Sequence, residues 1–186
     1  MLFGAYVHVR DQNLRRPRLR MQRRRPQWPS LMWMIGVLYS HNITVTLSRR
    51  DIAKSRLRFE TERMPIAVDA MRRWYGTLSI DGCGRARTPQ DLRFDENAAA
   101  VLLVDALVRS RPSYPVYAGF PACTEALAER MIGVIRDLIP GITTKHEPSY
   151  RCEERRTTIV FHAEHREPIQ EWVSTMADPA AFTAME

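Results

Sequence analysis

The chain has 186 residues, of which 45% are hydrophobic and 26% charged, with a formal net charge of +7. That length and apolar share exclude a wholly disordered chain and leave room for one domain with an extension, or for two small ones. Three widely spaced cysteines, Cys83, Cys123 and Cys152, form no C-x-x-C pair and exclude a disulfide scaffold, and the longest apolar run, Leu31 to Tyr39, is about half of what a membrane-spanning helix needs.

The positive charge is concentrated at one end. Residues 1–50 carry ten Arg, no Lys and a single acid, Asp11, whereas the remainder carries eighteen Lys plus Arg against twenty acids. Eight of the ten fall in one run: Arg10, Arg15, Arg16, Arg18, Arg20, Arg23, Arg24 and Arg25. Like charges at that density repel and bring little apolar surface to bury, so the run is expected to stay extended and to require an external counter-charge. Pro17, Pro26 and Pro29 favour extended backbone as well. Residues 1–30 therefore read as an arginine-rich arm, with Trp28 and Trp33 as aromatic anchors. Arg outnumbers Lys twenty-six to two, and the planar guanidinium fork suits phosphate and base stacking.

Beyond the arm, Leu31 to Leu47 is apolar and ends in the alternation Ile43, Val45, Leu47, a strand pattern. Arg56 to Glu62 alternates again, with Leu57, Phe59 and Thr61 on one face, and the two runs are expected to pair as a hairpin. Pro65 opens a predicted helix with Ile66, Ala70, Met71 and Trp74 on one face, stopped by Gly76. Thr77 to Pro89 reads as a loop. Asp95 or Asn97 caps a helix through Val101, Leu102, Val104 and Leu107 to about Arg109, whose apolar residues nearly encircle it and place it centrally. Val116 to Phe120 reads as a buried strand. Thr124 then caps a helix with the stripe Leu127, Met131, Val134, Ile135 and Leu138, ended by Pro140 and Gly141. Ile142 to Glu147 is extended, Tyr150 to Glu153 and Thr157 to Ala163 flank a charged turn, and a closing helix from Pro168 turns Ile169, Trp172, Val173 and Met176 inward. No internal repeat is visible in the residues.

The order β-α-β-β-β-α over Tyr114 to Ala177 resembles, in layout and element lengths, the redox-inactive thioredoxin-like proteins of mitochondrial ribosomes, whose relatives include an accessory subunit of respiratory complex I. The resemblance implies an α/β fold in three parts: an arm over 1–30, an α+β extension over 31–110 and a thioredoxin-like domain over 111–186. It also implies a mitochondrial structural subunit.

Candidate chemistry is sparse. Cys123 precedes a helix N-terminus, where a thiol pKa can fall, but GFPACTEA holds no resolving thiol. His146, Cys152, His162 and His165 have zinc-ligand chemistry, yet residues three apart on a strand face opposite sides. Asp81, Asp91, Asp95 and Glu96 have the chemistry of metal-binding or acid-base carboxylates, and the residue types equally suit caps and loops. Asp81 in LSIDGCG is similar in part to the acidic helix end of LAGLIDADG homing endonucleases, but neither the small-residue helix ahead of it nor a second copy is visible. No phosphate loop, nucleophile elbow or H-E-x-x-H segment occurs. The expectation is a non-enzymatic protein without cofactor or metal: a structural RNA-binding subunit of a mitochondrial ribosome, with Arg10, Arg15, Arg16, Arg18, Arg20, Arg23, Arg24, Arg25 and Trp28 on rRNA and the rest docked on neighbouring proteins. An accessory subunit of a respiratory or other mitochondrial complex, and a phage or plasmid DNA-binding protein, are the alternatives.

Overall fold

The computed structural model describes residues 6–8, 18–24, 28–48, 56–62, 73, 88–121, 123–151 and 154–177. Arg10, Arg15, Arg16, Arg25, Asp81, Cys83 and Cys152, the helix expected from Pro65 and most of the loop to Pro89 lie outside them. The fold is mixed α/β, built on two small antiparallel sheets. In chain order the elements are β1 (Tyr6–His8), β2 (Arg18–Arg24), α1 (Trp28–Ser40), β3 (Val45–Ser48), β4 (Arg56–Thr61), α2 (Glu96–Arg109), β5 (Val116–Pro121), α3 (Glu125–Leu138), β6 (Thr144–Arg151), β7 (Glu154–Phe161) and, after a 3-10 turn at Ala163–His165, α4 (Arg166–Ser174).

The first sheet runs β1-β2-β4-β3 and the second β5-β7-β6. All pairings among the described residues are antiparallel. A β-α-β order can set the two strands flanking the helix side by side and parallel. Here β7 lies between β5 and β6, so the neighbouring parallel pair is absent among the described residues. The same arrangement occurs in the first sheet, where β4 lies between β2 and β3, the strands flanking α1. Strand, helix and hairpin, with the last strand central, are thus repeated: β2-α1-β3-β4 and β5-α3-β6-β7 share one topology, a repeat the residues do not reveal.

Residues 18–24 are not an unpaired arm but the strand between β1 and β4. The cause is an alternation that the charge density hides. In Arg18-Leu19-Arg20-Met21-Gln22 the apolar residues recur with period two, which lets one face pack while the other keeps its arginines. Met21 is accordingly 3% exposed and lies opposite Phe59, 1% exposed. These two join Leu57, Val45 and the α1 residues Leu31, Met34 and Ile35 in one apolar cluster. Pro29 falls in the first turn of α1, where its missing N–H costs nothing and its fixed φ suits the helix. The helix ends in a Schellman arrangement: Ile43 N–H donates to Leu38 O, Asn42 N–H donates to Tyr39 O, and Asn42 adopts φ 58°.

The larger cluster surrounds α2, whose Leu102, Leu103, Val104, Ala106 and Leu107 are buried against α3, α4 and the second sheet. Asp95 caps α2 by accepting from Ala98 N–H at 3.1 Å, and Thr124 caps α3 by accepting from Leu127 N–H at 3.4 Å. The end of α2 is tied down by Arg166, which donates to the carbonyls of Leu107, Ser110 and Arg111. Trp33 packs against both clusters, and Val101 of α2 packs against the first sheet's cluster, so apolar contact links the two repeated units. Among the described residues no helix is long and apolar enough to cross a membrane.

Candidate nucleic-acid interface

Strand parity sorts the first sheet into two faces. Met21, Leu57, Phe59, Val45 and Thr61 share the buried face under α1. Register places the alternate positions together on the other face: Arg18, Arg20, Gln22 and Arg24 of β2, Arg56, Arg58 and Glu60 of β4, Thr46 and Ser48 of β3, Tyr6 and His8 of β1. By position, five arginines and one glutamate therefore fall on one face of the first sheet, where the side chains of Arg58 and Glu60 are 24% and 20% exposed. The cross-strand rows run Gln22 beside Arg58 beside Ser48, Arg20 beside Glu60 beside Thr46, and Arg24 beside Arg56. Arg58 Nε lies 3.9 Å from Glu60 Oε1, two positions along the same strand.

Of the residues read from the sequence as nucleic-acid ligands, Arg18, Arg20 and Arg24 are brought together by β2, while Arg23 has the parity of Met21, opposite Leu57 at the sheet's end. Trp28 begins α1 and is half-buried against the first sheet's cluster, with its Nε1 buried and unpartnered. Arg56 and Arg58 were not singled out by the arginine run, although a signal existed: RLRFE at 56–60 repeats the pattern of RLRMQ at 18–22, and the two segments are hydrogen-bonded neighbours. On the second sheet the corresponding face carries Lys145, Arg151 and Arg156 against Glu147 and Glu154, together with Tyr117, so its charge nearly balances.

The other candidate groups are occupied structurally. Cys123 is half-buried, its N–H donates to Thr157 Oγ1 at 3.3 Å and its sulfur lies 3.5 Å from the same oxygen. Burial pushes the thiol up, with the Thr157 hydroxyl pulling less strongly the other way, which is the opposite of an activated nucleophile. The Asp95 carboxylate is the α2 cap and also lies 3.5 Å from Arg93 Nε. Asp91 pairs with Arg73 at 2.8 Å, and that hydrogen bond holds its carboxyl below the usual value. His146 Nδ1 lies 3.0 Å from Glu129. The turn after β7 brings the His162 and His165 rings to 6.3 Å, but His165 Nε2 accepts from Thr143 N–H at 3.1 Å. Among the described residues no group of three or more His, Cys, Asp or Glu is placed to hold a metal ion.

No family model and no curated protein matches this chain. Among solved structures, a chain from mesophilic variants of the homing endonuclease I-DmoI is similar at 11% identity and a TM-score of 0.49, over 92% of this chain and 88% of that one. A likeness that distant assigns nothing.

Proposed function

We propose that this protein binds nucleic acid, with the outer face of the first sheet as its contact surface. The observation that carries the reading is the segregation by register: five arginines to one carboxylate on one side of β2 and β4, the apolar core on the other. Guanidinium groups arrayed on strands are phosphate ligands that also hydrogen-bond or stack on bases, and each phosphate neutralised releases counterion. Structured RNA is the first partner, because Arg10, Arg15, Arg16 and Arg25 continue the basic run on both sides of β2 in sequence. Placement in a mitochondrial ribosome has behind it only the element order of residues 114–177, and the strand order of the second sheet adds nothing to a thioredoxin-like reading.

Duplex DNA is the second reading, favoured by the repeated strand-helix-hairpin unit, since a duplicated protein surface suits a double helix whose own repeat presents the backbone twice. The experiment is fluorescence anisotropy with a labelled RNA hairpin and a DNA duplex of the same sequence, titrated with salt. Tight binding with a log–log slope of about −3 to −5, at roughly 0.9 per phosphate for duplexes, is expected, falling steeply in Arg20→Glu and Arg58→Glu. Preference for the hairpin supports RNA, and preference for the duplex supports DNA. Binding to neither, or binding indifferent to both substitutions, defeats the proposal.

A further inference from the structure

The two repeated units differ on one surface. Matched position by position through their shared topology, α1 carries Met34-Ile35-Gly36-Val37 where α3 carries Met131-Ile132-Gly133-Val134, each glycine being the ninth residue of its helix. At both glycines an added Cβ would meet nothing within 4 Å, so packing within the chain requires neither. What surrounds them is different. The stripe through Gly133 consists of Glu129, Arg136 and Asp137, an exposed and charged face. The same positions of α1 are Met32, Tyr39 and Ser40, exposed and uncharged.

The uncharged surface extends beyond the helix. Pro26 to Ser48 holds no Asp, Glu, Lys or Arg, although 26% of the chain is charged. Met32 at 48%, Tyr39 at 53% and Leu47 at 41% exposure are three of the five large apolar side chains exposed among the described residues. Met32 and Tyr39 lie about two turns apart on α1. The Tyr39 hydroxyl donates to Val45 O at 3.3 Å, and Leu47 has the parity of Val45 on the edge strand β3. That hydrogen bond holds the exposed ring in place with its polar atom satisfied, which lowers the cost of ordering it against a partner.

We propose that the outer face of α1 and the adjoining edge of β3 join two copies of this chain in a weak two-fold dimer. This inference is independent of the nucleic-acid reading. Two chains at +7 repel, and they approach at least cost where neither carries charge. A two-fold contact must be self-complementary, and the α1 stripe has that property. From Gly36, Met32 lies about 6 Å toward one end and Tyr39 about 4.5 Å toward the other, at roughly 1.5 Å per residue. Two such helices crossing antiparallel at Gly36 set Met32 of each copy against Tyr39 of the other, a thioether on an aromatic ring, while the glycines let the backbones come close. A 13-residue helix is about 20 Å long. With the strand edge beside it, a width of roughly 20 Å gives on the order of 400 Å² per copy, half of the roughly 800 Å² of a stable complex, which sets the dimer in the transient class.

The test is sedimentation velocity on the full chain without nucleic acid, over a concentration series through the micromolar range at low and high salt, with circular dichroism confirming that each variant is folded. The wild type is expected to pass from monomer to dimer as concentration rises, and no less at high salt, because screening relieves the repulsion between net charges. Met32→Glu and Tyr39→Lys should each weaken association by about tenfold or more, since each buries an unpaired charge. Combined in one chain they should restore much of it, because the antiparallel crossing pairs the introduced carboxylate of one copy with the introduced ammonium of the other. Gly36→Ala and Gly133→Ala each replace a helix-interior glycine where a Cβ has room, and each should raise the melting temperature of the dilute chain by about 2–4 °C. Only Gly36→Ala should weaken the dimer. A chain that stays monomeric throughout, a dimer that dissociates in salt, a dimer indifferent to Met32→Glu, or one weakened equally by Gly133→Ala would overturn the proposal. Failure of the combined charge variant to recover the dimer would overturn the antiparallel crossing at Gly36.

Discussion

Replacing Met21 by Ala separates a folded strand from an unpacked arm. The side chain is 3% exposed, stands opposite Phe59 at 1% and packs with Leu57 and the underside of α1. Truncating a methionine in such a site removes its transfer free energy and leaves a cavity that the neighbours fill only in part, a loss of roughly 2–5 kcal/mol. With a urea m-value of about 1–3 kcal/mol per molar, the unfolding midpoint should fall by on the order of 1 M. Met32, on the same helix-and-sheet unit but 48% exposed, is the matched control, and Met32→Ala should stay within about 0.5 kcal/mol of wild type. The assay is equilibrium urea unfolding followed by far-ultraviolet circular dichroism and by tryptophan fluorescence, since Trp28 and Trp33 border the same cluster. If Met21→Ala is as silent as Met32→Ala, residues 18–24 do not pack, the face parity collapses, and the proposed contact surface goes with it.

Other outcomes follow from the same structure. Asp95→Ala leaves the Ala98 N–H at the start of α2 without its acceptor and should cost about 1 kcal/mol in the same unfolding assay, with Asp95→Asn costing less. Arg166→Met removes the donors that hold the carbonyls of Leu107, Ser110 and Arg111 and should cost roughly 1–3 kcal/mol, the lower end applying because the group is partly solvated, and Arg166→Lys should not restore it because one ammonium cannot span all three. In a chain with Cys83 and Cys152 changed to Ser, the remaining Cys123 thiol should react with a disulfide reagent more slowly in the folded than in the urea-unfolded protein. Its folded pKa is raised, so the unfolded chain ionises first and the thiol's contribution to stability is lost as pH rises through the alkaline range. Faster reaction of the native thiol would contradict both the burial and the sign.

Much of the C-terminal half is legible from sequence, because there the local signals agree with the packing. The Asp95 and Thr124 caps, the stripe of α3, the β5 strand and the turn at Gly141, with φ 84°, all stand where residue chemistry places them. The first fifty residues mislead for a physical reason. A run of arginines reads as solvated chain when charge is counted, but Leu19 and Met21 sit between the arginines at strand spacing, and pairing with β4 sets Met21 opposite Phe59 in the core. Pro29 hides α1 in the same way, since a proline that would break a helix interior is harmless in the first turn. The repeated unit escapes notice because strand order is a property of long-range pairing: nothing local to β4 or β7 says that each inserts between the two strands preceding it. Arg56 and Arg58 belong to the candidate face only once the β2–β4 register is known.

The most direct test of the contact surface is photo-crosslinking from positions on opposite sides of the first sheet. A photoreactive amino acid is placed at Thr46, exposed on β3 with the parity of the arginine face, and separately at Met32, exposed on α1 beneath the sheet. Each variant is irradiated with the labelled RNA hairpin and with the DNA duplex. The account predicts crosslinks from position 46 that disappear at high salt and none from position 32. Crosslinks from position 32 alone, or from both positions equally, would contradict it.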